Sequence, residues 1–168
     1  MYKIIGLFLT LCASWAFLYS KGQIIDKRYT NLKEMIKALT YLKQEISFSA
    51  GELGMVCKKV SHVTQGDVSA VFYEIVNILE ENPSDFSSAW AAATDGKMMF
   101  SREAEMLLCD LAQNLGKKSL DIELENVQKA KEVLEQLKEH EKIKSAKDKK
   151  LLYTLGVSAG FALVILVI

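Results

Sequence analysis

The chain has 168 residues, half of them hydrophobic, and its 21 Lys+Arg cancel its 21 Asp+Glu. A surface that balanced lacks the basic stripe that phosphate-backbone binding needs, so nucleic acid is not an expected partner. One proline and nine glycines favour long helices over a many-turned β architecture.

The first element is a 17-residue uncharged run, Ile4 to Ser20. As a helix it covers roughly 25 Å, at the short end for a hydrocarbon core of about 30 Å. Tyr2, Trp15 and Tyr19 suit a water interface. A signal-peptide cut after Ser14-Trp15-Ala16 leaves Phe17-Leu18-Tyr19 on the mature end, so the run reads as an uncleaved anchor.

A long helix follows. Ile25, Tyr29, Leu32, Ile36, Leu39, Leu42 and Ile46 recur at spacings of three and four, with Lys27, Lys33, Lys37 and Lys43 largely off that face. The stretch Ser47 to Gly54 (SFSAGELG) breaks it. Leu53, Val56, Cys57, Val60 and Val63 make a shorter helix, and Gly66-Asp67 ends it with a new N-cap. Val68, Val71, Phe72, Ile75 and Leu79 give the next face, stopped at Asn82-Pro83-Ser84. Phe86, Ala89, Trp90 and Ala93 form another, closed by Asp95-Gly96, with Trp90 read as core. Ser101 caps a helix striped by Ala104, Leu107, Leu108, Leu111 and Leu115, and Gly116 fits its C-terminal cap. Ser119 opens the last bundle helix, with Leu120, Leu124, Val127, Ala130, Leu134 and Leu137 inward. Residues 139–150 are almost wholly charged and read as an exposed stalk. The final run, Leu151 to Ile168, has 18 uncharged residues, with Tyr153 near its start.

The expected architecture is all-α: a bundle of about six helices between an N-terminal and a C-terminal transmembrane helix. Its parts are an anchor over 1–21, the bundle over 22–138, the stalk over 139–150 and the second span over 151–168. Residues 21–150 hold 20 of the 21 basic residues and all 21 acidic ones. Lys21, Lys27 and Arg28 follow the first span, and Lys142, Lys144, Lys147, Lys149 and Lys150 precede the second. The positive-inside rule then places the middle in the cytoplasm and both termini outside. Gly156 and Gly160, four apart in the second span, are candidates for close packing of another transmembrane helix.

Chemistry is sparse. No Gly-rich phosphate loop, HExxH or GxSxG appears, and the two histidines, His62 and His140, read as solvated or capping. The three cysteines, Cys12, Cys57 and Cys109, have no CxxC spacing and read as buried thiols in a reducing compartment. The carboxylates sit mostly beside lysines on polar helix faces. The chain is therefore not expected to be an enzyme, and no catalytic, cofactor or metal residue is assigned. Tyr41, Gln44 and Glu45 crowd the end of the first long helix. The turn Asn114-Leu115-Gly116-Lys117-Lys118 offers a second partner-facing corner.

The order of LKQEISFS, AVFYEIVNIL, FSSAWAAAT, EMLLCDLAQNLGK and KDKKLLYTLGVSAGFALVILVI resembles the stage III sporulation protein AB family along essentially the whole chain. The resemblance implies a membrane protein of endospore-forming bacteria, made in the mother cell and located at the membrane around the forespore. It implies a place in a complex linking mother cell and forespore, and a bundle similar to the cytoplasmic domain of type II secretion platform proteins. The implied partners are a secretion-type ATPase and the other stage III sporulation channel proteins. Gln44, Glu45, Leu115 and Gly116 carry over as candidate interface or fold-fixing positions. The family's Ser-Asp pair after the LG turn is interrupted here, because Leu120 stands between Ser119 and Asp121, so no role passes to Asp121 or Gln128.

The leading expectation is a membrane-anchored assembly or adaptor subunit of a secretion-like channel. The alternative is a lipid-binding or scaffold protein at the membrane surface, motivated by the lysines at 142–150.

Overall fold

A computed structural model describes residues 26–48, 53–81, 85–97, 100–117 and 119–167; beyond residue 147 it describes only the side chains of 150, 151, 154 and 158. Six helices occur and no strand does among the described residues. They are α1 (26–48), α2 (Leu53–Val63), α3 (Gly66–Glu81), α4 (Phe86–Thr94), α5 (Arg102–Asn114) and α6 (Leu120–Val167). The chain divides into two compact units, one of them Arg28–Glu139 and the other taking in both chain ends.

Within Arg28–Glu139 the helices run up and down. Polar contacts fix the directions. Lys59 in α2 donates to Glu45 in α1 at 2.5 Å, while the Gln65 N–H beyond α2 donates to Glu34 at 3.0 Å, so α1 and α2 are antiparallel. Ser69 Oγ donates to the Ser61 carbonyl at 2.7 Å, and Lys58 pairs with Glu80 at 3.8 Å, which sets α3 antiparallel to α2. Lys43 in α1 reaches Gln128 Oε1 in α6 at 2.9 Å. From that contact, Arg28 lies back along α1 and Glu139 lies onward along α6, so both reach the same end of the bundle.

The core follows the apolar spacing. Leu32, Leu39, Leu42 and Ile46 of α1 are buried, and the face is wider than the spacing shows, because Met35 and Ala38 are buried too. Val68, Val71, Phe72 and Ile75 of α3 are buried against Phe86, Ala89, Trp90 and Ala93 of α4. Trp90 is 5 % exposed; its ring meets Phe72 edge-on at 6.0 Å and Phe86 at 6.3 Å. Burial of side chains this size contributes about 1.5–3 kcal/mol each. Val127, Ala130 and Leu134 carry α6 into the core. Leu120, expected on the same stripe, is half exposed, because it is the first residue of α6 at the rim of the bundle.

Local signals set the helix ends. Ser101 Oγ accepts from the Ala104 N–H at 3.4 Å, with Glu103 and Glu105 in the first turn of α5. Gly66, Gly96 and Gly116 have φ of 64°, 64° and 79°, each beside a helix end. Side chains with a Cβ resist that left-handed region. The α3 element begins at Gly66 itself, so Asp67 stands in the first turn rather than outside the helix. There its carboxylate accepts from buried Asn31 Nδ2 at 3.2 Å.

The stretches expected as the last bundle helix, the stalk and the final apolar run all fall within α6, a 48-residue helix. The Ile4–Ser20 run lies outside the described residues. Among the described residues, no helix is long and apolar enough to cross a membrane.

Candidate functional site

In an up-and-down bundle, alternate turns share an end. Here the start of α2, the end of α3, the start of α4 and the residues just past α5 gather at one end and line a groove of about 680 Å³. Val76, Phe86 and Leu115, all buried, form its apolar floor together with half-buried Leu53 and Leu79. Met55, 63 % exposed, stands at its mouth.

The rim holds two charges of each sign, Lys58, Lys117, Glu80 and Asp85. They are matched: Lys58 lies 3.8 Å from Glu80, and Lys117 Nζ donates to Asp85 at 3.0 Å. All four are about half exposed or more, so each pair contributes at most about 1 kcal/mol of stability. The pairs bridge different elements and so fix the groove's outline. The backbone dipoles also balance. The amino ends of α2 and α4 and the carboxyl ends of α3 and α5 all border the groove.

Of the positions singled out from sequence, Leu115 and Gly116 come together in this groove. Leu115 is the C-terminal cap of α5; its N–H donates to the Leu111 carbonyl at 3.0 Å, and its side chain is buried. Gly116 turns the chain, and a Cβ there meets only Leu53 Cδ2 at 3.9 Å, so its requirement is backbone angle, not room. Gln44 is exposed and Glu45 is tied to Lys59; neither lines the groove. Gly156 and Gly160 are helical residues of α6, and their packing lies outside the described residues. His62 and His140 are exposed.

Sequence reasoning singled out Lys117 within the turn at 114–118 but missed the other rim charges, Lys58, Glu80 and Asp85, and Met55. The signal was present in the alternation of turns: SFSAGELG, NPS and LGKK are the first, third and fifth breaks, which an even up-and-down bundle brings together. It also gave no role to Gln128. The structure makes Gln128 a bridge that accepts from Lys43 and donates from Nε2 to Glu132 at 2.7 Å. Asp121 is exposed in the first turn of α6.

The cysteines separate by environment. Cys57 is buried, and burial pushes its thiol up to about 12, whereas Cys109 is exposed. This corrects the expectation that both are core. Cys109 falls beside Asp110 on the polar side of α5, one residue past buried Leu108. Among the described residues no group of three or more His, Cys, Asp or Glu is placed to hold a metal ion.

These features define an all-α bundle protein with a charge-balanced apolar groove at one end of the bundle. The chain belongs to the stage III sporulation protein AB family, whose sequence profile matches residues 3–168, and it is a sporulation-related protein. A solved structure titled "Stage III sporulation protein AB (SpoIIIAB)" is similar with a TM-score of 0.65 at 16 % identity, covering 70 % of this chain and 95 % of that one. No curated protein matches the chain.

Proposed function

We propose that this protein is a membrane-anchored assembly or adaptor subunit of a secretion-like channel complex that links mother cell and forespore and engages a secretion-type ATPase. The observation that carries the reading is family membership along residues 3–168, which spans both uncharged ends as well as the bundle. The two uncharged runs serve as bilayer spans, and the flanking lysines hold the bundle in the mother-cell cytoplasm. The groove beside Leu115 and Gly116 offers one contact surface for a soluble subunit. Gln44 and Glu45 offer a second, polar contact on α1. The other channel proteins meet the same bundle, and Gly156 and Gly160 pack another helix within the bilayer.

The direct experiment is co-purification of the detergent-solubilised chain with the ATPase encoded beside it, together with cysteine accessibility of both termini and the bundle in intact cells. Retention of the ATPase and a protected bundle support the reading. Failure to retain it, or a bundle labelled from outside the cell, removes it.

The alternative, a lipid-binding scaffold, draws on exposed Lys142, Lys144, Lys147 and Lys150. Binding to anionic vesicles that disappears when these lysines are neutralised, without ATPase retention, selects it.

A further inference from the structure

We propose that one arc of α6, on which Lys144, Lys147 and Lys150 alternate with Ile143 and Leu151, binds the phosphate head groups of an anionic lipid surface. The inference rests on the reading of Leu151 to Ile168 as a bilayer span, which puts the arc at head-group depth. It narrows lipid contact from the charge of the stalk as a whole to one side of one helix.

Helical spacing builds the arc. Successive residues turn by about 100° around the axis, so Lys150, Ile143, Lys147, Leu151 and Lys144 follow one another within about 120°. Between residues 140 and 154 no carboxylate shares that arc. All three lysines are exposed, and Ile143 and Leu151 between them are 57 % and 58 % exposed.

The helix does not supply the counter-charge. Ion pairs along a helix join residues three or four apart. Earlier in α6 they do so: Lys129 lies 2.6 Å from Glu125 and Lys131 lies 3.9 Å from Glu135. Lys147 and Lys150 have no Asp or Glu at either spacing in either direction.

The apolar residues select the source of the anion. A free phosphate ion gains nothing from Ile143 or Leu151. A lipid surface takes both: ammonium groups meet phosphates, while apolar side chains and lysine stems reach the acyl boundary. The same helix runs on into the uncharged stretch, and Lys144 is only about 10 Å along the axis from Leu151. That is about one Debye length, so all three lysines feel a charged surface there.

The test uses the full chain in detergent micelles, titrated with fluorescent phosphatidylglycerol or phosphatidylcholine. Phosphatidylglycerol should bind about fivefold or more tightly than phosphatidylcholine, and the gap should close as salt rises. Lys147→Gln with Lys150→Gln should abolish the preference, and the matching pair of arginine substitutions should keep it. Lys142→Gln with Lys149→Gln removes the same charge away from the arc and should leave most of the preference. Ile143→Gln should weaken binding of both lipids about threefold or more. Equal affinity for the two lipids in the unaltered chain, or equal damage from the two glutamine pairs, overturns the proposal. So does displacement of the lipid by inorganic phosphate, or by polyglutamate more readily than by unlabelled phosphatidylglycerol, because the ligand is then a free anion or an acidic protein. Cysteines placed within residues 151–168 and labelled by a water-soluble reagent, with the lipid preference intact, sink the span reading alone. Protected cysteines with equal affinity for the two lipids sink this inference alone.

Discussion

Trp90→Ala tests the packing on which the bundle depends. Large aromatic-to-alanine changes in a core cost about 3–5 kcal/mol. Trp90 is only 5 % exposed, so little of that range is lost to solvent. Its ring also touches Phe72 at 6.0 Å and Phe86 at 6.3 Å, and such ring pairs add about 0.5–1.5 kcal/mol beyond their area. The expected loss is therefore near the top of the range, about 4–5 kcal/mol. A domain of this size holds about 5–15 kcal/mol in total, so the variant should be close to unfolding. Urea unfolding of the full chain in mild detergent, followed by far-UV circular dichroism, measures the change. Trp90→Phe keeps an aromatic ring and should lose about 1–3 kcal/mol, which leaves a measurable transition if the alanine variant has none. A loss below about 1.5 kcal/mol for Trp90→Ala would refute the packing argument.

Two glycines should respond in opposite directions in the same assay. Gly116→Ala should cost about 1–2 kcal/mol, because φ is 79° although the space is adequate. Gly54→Ala, inside α2 with nothing within 4 Å of the new methyl, should gain about 0.5–1 kcal/mol. Thiol labelling of the native chain should modify Cys109 quickly and Cys57 only on unfolding. The Cys57 thiol is held up to about 12 from an ordinary value of 9.0, so the folded state keeps a proton that the unfolded chain gives up. That contribution is whole below pH 9.0 and fades as pH rises towards about 12, and Cys57→Ala should flatten this part of the pH-stability curve. Lys117→Ala opens the Asp85 pair and should change stability by less than about 1 kcal/mol; a larger loss means the pair carries more of the turn than its exposure indicates.

Helix positions were legible because each buried face repeats at three and four residues. The α4 face, Phe86, Ala89, Trp90 and Ala93, is buried as the spacing indicates. Met35 and Ala38 escaped because α1 is packed over a broader arc than one stripe, and pattern does not show how many neighbours a helix has. Leu120 fits the stripe but stands at the first residue of α6, beyond the end of its packing partners. The groove was less legible. Leu115 and Gly116 draw attention as a local turn. Lys58, Glu80 and Asp85 are ordinary surface charges until α2, α3 and α4 are assembled, because their pairing depends on separations of 22 and 32 residues.

The shared end of Arg28 and Glu139 has a mechanical meaning. Tension that draws these two points apart acts across the axes of α1 and α6, not along them. The two helices would then part like a zipper, one contact at a time, with the Lys43–Gln128 link met only after the lower turns have opened.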